Sequence, residues 1–268
     1  VYDPDAKCPL WLDMMDMIFD SERELIRFVQ RVLGYILTGK PIEEAWISLY
    51  GPKSKNGKST LCNAVTYVLG NYAKKVRIQT FLNAKNKSSI PNDIAALAGY
   101  YFIWTSEPDE GSKLSMEIIK PFSGNEEMDA RFLNREFFQF KPQGTIVIAS
   151  NNRPVIDEKG EAAWRRVLSI PFEVQIPEEK RDREIDDKLK AEAPGIFNWM
   201  VEGLREYYQL GKKLCPPAKV KASTEEYKEE MNSFKKFWNE VMVVEKFGMI
   251  INSKLWSSYK DFCDEYGL

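Results

Sequence analysis

The sequence predicts an α/β fold with a phosphate-binding loop at its centre, and three stretches carry that prediction. Trp46 to Gly70, WISLYGPKSKNGKSTLCNAVTYVLG, is a short apolar run, a polar loop containing glycine, and a segment with Leu61, Val65 and Val68 at helical spacing. Strand, loop and helix in that order suit a phosphate site. Tyr101 to Trp104 is a second apolar run, closed by the acidic SEPDEG, and Thr145 to Ala149 is a third, running into Ser150, Asn151 and Asn152. Short apolar runs bounded by polar residues read as buried strands, and in open parallel sheets ligands collect at the carboxyl ends of the strands.

A triphosphate needs several backbone N–H groups aimed at its oxygens. A loop turning into a helix N-terminus supplies them, together with the positive end of the helix dipole. Gly57 lets the backbone come close, Lys58 reaches the β- and γ-phosphates, and the Ser59 hydroxyl is placed for Mg²⁺. Thr60 follows and faces the helix interior. With Gly51 and Asn56 these residues form the expected nucleotide-binding set. The loop departs from G-x-x-x-x-G-K-[ST]: Gly51 lies one residue too far from Gly57, and Pro52 stands where the first glycine belongs.

Composition narrows the chemistry. A chain of 268 residues can bury a large core, and 44% hydrophobic with 29% charged residues is ordinary for a soluble protein. No apolar stretch approaches the ~20 residues of a membrane helix, and no signal peptide is visible. The formal charge of -2 means that any nucleic-acid contact is local. Cys8, Cys62, Cys215 and Cys263 are scattered without a C-x-x-C pair, which argues against a zinc site or disulfide framework and for a reduced, cytoplasmic setting. There is no histidine, so Ser-His-Asp chemistry and a histidine base are excluded; carboxylates, lysines and arginines must do any catalysis. The opening Val, in a stretch already motif-like, reads as a fragment of a longer protein.

Taken in order, residues 1–42 read as an N-terminal helical region, with Trp11, Met14, Met15, Ile18 and Phe19, then Leu25, Phe28, Val29, Val32 and Leu33, at helical spacing. Residues 43–175 form the core around the phosphate loop. Asn71 to Ser89, with Lys74, Lys75, Arg77, Lys85 and Lys87, is either a solvated surface or a DNA-facing one. Glu107, at the end of the second strand, is placed to complete the metal and water site, with Asp109 and Glu110 as neighbours. Residues 112–123 read as a helix opening at Ser112 and carrying Lys120. Met128 to Phe140 interleaves Arg131 and Arg135 with Phe132, Phe137, Phe138 and Phe140, ahead of the turn Lys141 to Gly144. A hairpin with phenylalanines inward and arginines in water accounts for the pattern, with some of the cations functional. Asn151, an amide at a strand tip, can hydrogen-bond the attacking water or the γ-phosphate. Arg165 and Arg166, beside Trp164, are candidates for a cation supplied by a neighbouring subunit, and the choice between them stays open. Residues 176–215 read as a helical lid and 216–268, after Pro216 and Pro217, as a linker and C-terminal region.

Phosphate loop, acid, amide and arginine pair in this order resemble the superfamily 3 helicases, and in particular the phage and plasmid primase-helicase group related to phage P4 and poxvirus replication proteins. The resemblance spans nearly the whole chain: YDPDAKCPLW and GYILTG, NGKST, TSEPDEG, IKPFSGNEEMDAR with FKPQ, ASNNRP, and AAWRRVLSIPF. It implies an AAA+ P-loop ATPase fold, ATP and Mg²⁺, a homo-hexameric ring hydrolysing ATP between subunits, and translocation on single-stranded DNA at a replication fork. In that group the cations after the acidic motif line the central channel, which points to Lys120, Arg131 and Lys141. Residues 216–268 resemble the start of a winged-helix region, and a primase domain is expected on the full-length protein. Two rival readings are a nucleotide-dependent origin-binding or scaffold protein and an AAA+ ATPase acting on protein.

Overall fold

Five short strands pair side by side in a parallel sheet in a computed structural model of the chain, which describes residues 2–83, 92–158, 160–243, 245 and 248–266. In chain order the elements are α1 (Pro9–Ile18), α2 (Arg23–Ile36), β1 (Trp46–Tyr50), α3 (Lys58–Leu69), β2 (Ala73–Lys75), α4 (Asn92–Ala95), β3 (Phe102–Ser106), α5 (Met116–Ser123), β4 (Met128–Arg131) and β5 (Phe137–Phe140). They continue with β6 (Thr145–Ser150), α6 (Glu161–Trp164), β7 (Val167–Pro171), α7 (Ile185–Ala191), α8 (Ala193–Gln209), α9 (Ala218–Glu230), α10 (Ser233–Val241) and α11 (Asn252–Tyr266).

The sheet order is β2-β3-β6-β1-β7. β6 comes after β3 in the chain but lies between β3 and β1, and register fixes what this does. Tyr50 pairs with Ser150 and with Pro171, and Ser106 pairs with Ala149. The carboxyl ends of β1, β3 and β6 are therefore level, and the segments after them emerge along one edge. Strands β1, β3 and β6 are buried over nearly their whole length, as a parallel sheet covered on both faces requires.

The helices of residues 1–42 and 176–215, read separately in the sequence, form one packed layer. At the crossing of α2 and α8, a Cβ at Gly34 would lie 2.2 Å from the Leu204 nitrogen, and one at Gly203 would lie 2.0 Å from the Gln30 carbonyl oxygen. Only two glycines let these backbones touch. Arg31, buried on α2, donates to Glu206 on α8 and to the Leu214 and Cys215 carbonyls. Glu192 accepts from the Leu10 and Trp11 amides at 3.0 and 2.9 Å, satisfying the open N-terminus of α1 with a negative charge.

One local expectation is filled in and two are corrected. The basic stretch after α3 contains an edge strand, β2, where Lys74 bonds the Ala96 carbonyl and lies over the Tyr100 ring, and Lys75 lies over Trp104. Lys85 and Lys87 lie outside the described residues. The helix expected from Ser112 begins at Met116, because Lys113 and Leu114 are drawn into bridges with Val155 and Leu82. The hairpin β4-β5 forms, but not all of its phenylalanines turn inward: Phe132 and Phe137 are 40% and 61% exposed, Phe138 and Phe140 are half-buried, and Ala130 is buried. A two-stranded ribbon is too small to bury both of its faces.

The chain divides after Thr224 into two units, so the boundary falls within α9 and not at Pro216. In the second unit, Phe237 of α10 meets Tyr259 and Phe262 of α11, with ring centroids 5.5 Å apart in each pair. No helix among the described residues is long and apolar enough to cross a membrane.

Candidate nucleotide site

The loop from Gly51 to Gly57 leaves β1 at the level edge of the sheet and turns directly into α3. Gly57 takes φ +87°, and a Cβ there would lie 2.6 Å from Ile18 Cγ2, so both the turn and the close approach of α1 require glycine. Gly51 is needed for a different reason from the one the motif suggests. A Cβ on it would lie 2.3 Å from Asn56 Nδ2 and 2.3 Å from the Phe172 carbonyl oxygen. The Asn56 amide donates to the Lys53 carbonyl at 2.7 Å and to Phe172 at 3.2 Å. The extra residue in the loop is thus taken up in a tie to the chain after β7, reinforced by the Ile176 amide on the Lys55 carbonyl at 3.0 Å. Gly51 makes room for this tie and does not line the pocket.

That pocket, about 200 Å³, opens over the start of α3 and is lined by Ser54, Lys58, Ser59, Ser106, Glu107 and Asn151, among others. Lys58 is buried, with its ammonium donating to Asn151 Oδ1 at 2.8 Å, Asn56 Oδ1 at 3.0 Å and the Gly51 carbonyl at 3.1 Å. All three acceptors are neutral. Burial accordingly holds its pKa down to about 8, against the smaller opposing effect of the Cys62 thiol. Asn151 also reaches Ser54 Oγ at 3.5 Å. Glu107 follows the last residue of β3 with φ +59°, a left-handed backbone that costs a non-glycine residue roughly 1–2 kcal/mol. Its amide bonds the Ala149 carbonyl, and the turn brings Glu107 to the pocket wall.

A lysine at the start of α3, an acid just past β3 and an amide just past β6 therefore meet in one concavity. Thr60 lines it as well. Asp109 and Glu110 do not: they are exposed in the turn after Glu107, where the Asp109 carbonyl accepts from the Ser112 amide. Ser54, Ser106 and Ser150 belong to the wall and carried no distinguishing sequence signal. Ser150 Oγ is buried with no hydrogen-bond partner among the described residues. Helix N-terminus, buried lysine and unpartnered hydroxyl suit a phosphate group. The Ser59 hydroxyl and Glu107 carboxylate are the hard oxygen donors for a cation. Among the described residues there is no cluster of three or more His, Cys, Asp or Glu that could hold a metal. That donor set fits Mg²⁺, which takes few protein ligands and completes its shell with phosphate and water.

The remaining predicted residues lie elsewhere. Lys120 is ion-paired with Glu158, Lys141 is 3.6 Å from Glu127, and the Arg131 guanidinium lies 4.7 Å over the Phe137 ring. The arginine pair precedes β7, beside the start of β1, where the Arg166 carbonyl accepts from the Trp46 amide at 2.8 Å. Over a five-residue strand this is ~16 Å from the pocket edge. Arg166 is buried, bonded to the Glu44 carbonyl and Ser123 Oγ and paired with the Glu44 carboxylate at 3.2 Å. Arg165 is exposed, with a looser contact to Glu44 at 3.3 Å.

Fold and site define an α/β protein in which a glycine-containing loop entering a helix faces an acid and an amide at the carboxyl edge of a parallel sheet. Residues 49–166 match DUF5906, a family of unknown function. "Putative helicase L207/L206" of Acanthamoeba polyphaga mimivirus is 25% identical over 240 residues, covering 83% of this chain and 25% of that protein. "Putative helicase 022R" of Frog virus 3 (isolate Goorha) is 22% identical, covering 91% of this chain and 27% of its own. "Putative primase C962R" of African swine fever virus (strain Badajoz 1971 Vero-adapted) is 25% identical, covering 79% and 24%. The chain thus spans about a quarter of the length of these relatives. They agree with the primase-helicase family that the ordered motifs resemble. The structure titled "The apo structure of NrS-1 C terminal region (305-718)" shares the fold, with a TM-score of 0.61 at 15% identity over 98% of this chain and 63% of that one.

Proposed function

We propose that the chain is the ATP-dependent motor of a DNA replication protein of the primase-helicase kind. On this reading it is an AAA+ ATPase of superfamily 3 that hydrolyses ATP between subunits of a homo-hexameric ring and translocates on single-stranded DNA. The observation that carries the proposal is the meeting of Lys58, Glu107 and Asn151 around one pocket at a helix N-terminus. The insertion of β6 between β1 and β3 supports it, since that order sets the amide between the lysine and the acid. The names of the viral relatives, helicase and primase, point the same way.

In this mechanism the N–H groups around Gly57 and the Lys58 ammonium hold the β- and γ-phosphates. Ser59 and Glu107 hold Mg²⁺, which would neutralise phosphate charge as the terminal group leaves. Glu107 orients the attacking water, and Asn151 gives up its bond to Lys58 to take the γ-phosphate. Arg165, exposed and far from its own pocket, supplies positive charge to the pocket of the neighbouring subunit. The hairpin leaves Phe132 and Phe137 exposed, with Arg131 half-buried over the Phe137 ring and Lys141 exposed just past β5, a combination suited to bases and backbone of a single strand.

ATP turnover measured with and without single-stranded DNA, over a range of salt, tests this. Turnover is expected to rise with DNA, the stimulation to fall as salt increases, and Lys58→Ala to abolish it in a folded protein. A Lys58→Ala variant with undiminished turnover sinks the site assignment, and turnover indifferent to DNA sinks the motor.

A further inference from the structure

Two residues beyond Asn151, at the carboxyl edge of the sheet, Arg153 is buried, with 7% of its surface exposed. Burying a guanidinium is costly unless the surroundings hold it. Its guanidinium carbon lies 4.0 Å from the centre of the Tyr50 ring, on the last residue of β1. Its Nη2 donates to the Ser223 carbonyl at 3.3 Å and to Ser223 Oγ at 3.4 Å, on α9. The side chain thus leaves the end of β6, passes over the end of β1 and reaches the first half of α9. That half is itself fastened to the next strand: Ser223 Oγ lies 2.8 Å from Ser169 Oγ, and the Ser169 amide donates to Thr224 Oγ1 at 3.0 Å. β7 is the last strand of the sheet, and α9 satisfies this amide on its outer edge. Both ends of the strut border the pocket. Tyr50 precedes Gly51, whose carbonyl accepts from Lys58, and Asn151 accepts from the same ammonium.

We propose that Arg153 is a positioning residue for the nucleotide site and that it relays the presence of a γ-phosphate from Asn151 to the first half of α9. This role rests on the nucleotide reading of the pocket and extends it to Arg153, Tyr50 and Ser223, which do not line it. A tightly packed guanidinium does not shift alone, and only one residue separates it from Asn151. When Asn151 exchanges Lys58 for a γ-phosphate, the turn moves and Arg153 moves with it. ADP offers Asn151 no such partner. The bonds to Ser223 are longer than the usual N–H···O distance of about 2.9 Å, so they have little to lose by lengthening and much to gain by shortening. A triphosphate therefore tightens α9 against Arg153. Coupling of this kind is reciprocal, so the grip of α9 on Arg153 favours triphosphate over diphosphate by the same factor.

Hydrogen exchange of the unaltered chain, saturated with the magnesium complex of adenylyl imidodiphosphate or of ADP, reads α9 directly and needs no variant. The backbone amides of residues 220–224 are expected to exchange about fivefold more slowly with the triphosphate analogue. Calorimetric titration with the same two ligands reads the reverse effect, using Ser223→Ala to remove one acceptor and Arg153→Lys to keep the charge over Tyr50 without the planar fork. In Arg153→Lys the preference for the analogue over ADP should fall about fivefold with ADP affinity unmoved, and the exchange difference on α9 should vanish. Ser223→Ala should move both in the same direction by less. Equal exchange of α9 with the two ligands in the unaltered chain overturns the relay. A ratio of affinities unchanged in both variants, even with a lowered Tm, makes Arg153 purely structural and overturns the positioning role. Failure of the unaltered chain to bind either ligand removes the nucleotide reading, and the relay with it.

Discussion

Lys58 is a cation held by three neutral oxygens, and its titration follows from that setting. Its pKa in the folded chain, about 8, lies below the ordinary lysine value of 10.5 because burial penalises the charged form. Between those values the unfolded chain binds more protons than the folded one. Stability therefore rises with pH across that window, and the cost of the buried ammonium is fully present only below it. Phosphate binding has the opposite sign, since it needs the ammonium. Nucleotide affinity is expected to be level near pH 7 and to weaken above pH 8, by up to about tenfold per unit. Equilibrium titrations from pH 7 to 9.5 check this, and Lys58→Ala should bind weakly with no such decline. A second residue-scale difference separates the arginines. Arg166→Ala removes a buried guanidinium from two hydrogen bonds and an ion pair and should cost about 3 kcal/mol, visible as a lowered Tm, whereas Arg165→Ala should leave stability within about 0.5 kcal/mol.

At the scale of elements, the strands were legible and the helix contacts were not. Runs such as Thr145–Ser150 are apolar end to end, and only a strand covered on both faces uses such a run, so β1, β3 and β6 could be read directly. β2 is three residues long with two lysines, and its pairing to β3 leaves no periodic trace. Gly34 lies two residues before the end of α2. In the folded chain it and Gly203 are the contact at which α2 and α8 meet. Gly203→Ala would drive a methyl group to 2.0 Å from the Gln30 carbonyl and should destabilise by about 3 kcal/mol, lowering the Tm by roughly 5–10 °C in a thermal melt. An unchanged melting curve would mean that the helices do not cross there. The hairpin shows why alternation alone misleads: its pattern marks two faces but cannot say whether either has a layer to pack against.

For the whole molecule, the separation between pocket and arginine pair matters most. The two lie at opposite ends of the sheet, so a single chain does not bring Arg165 to its own Lys58. If neighbouring copies share the site, Arg165→Ala should bind nucleotide normally but hydrolyse it about 10³-fold more slowly. Mixing that variant with Lys58→Ala should restore part of the activity, since some interfaces then pair an intact lysine with an intact arginine. Turnover of the mixture no greater than that of the separate variants would exclude a shared site.

Residue types and their order were enough to place the strand, loop and helix around Gly57, the acid at one strand end, the amide at another and the parallel α/β class, because each is a local signal: an apolar run, a glycine, a charged or polar tip. Three things waited for the tertiary structure. The loop's extra residue is taken up by Asn56 reaching Phe172, a contact between positions far apart in the chain. The N-terminal helices proved to be part of one layer with the helices of residues 176–215, and Arg166 proved to be buried while Arg165 is not. These depend on which surfaces meet across the fold, and no single stretch of sequence carries the geometry of its distant partner.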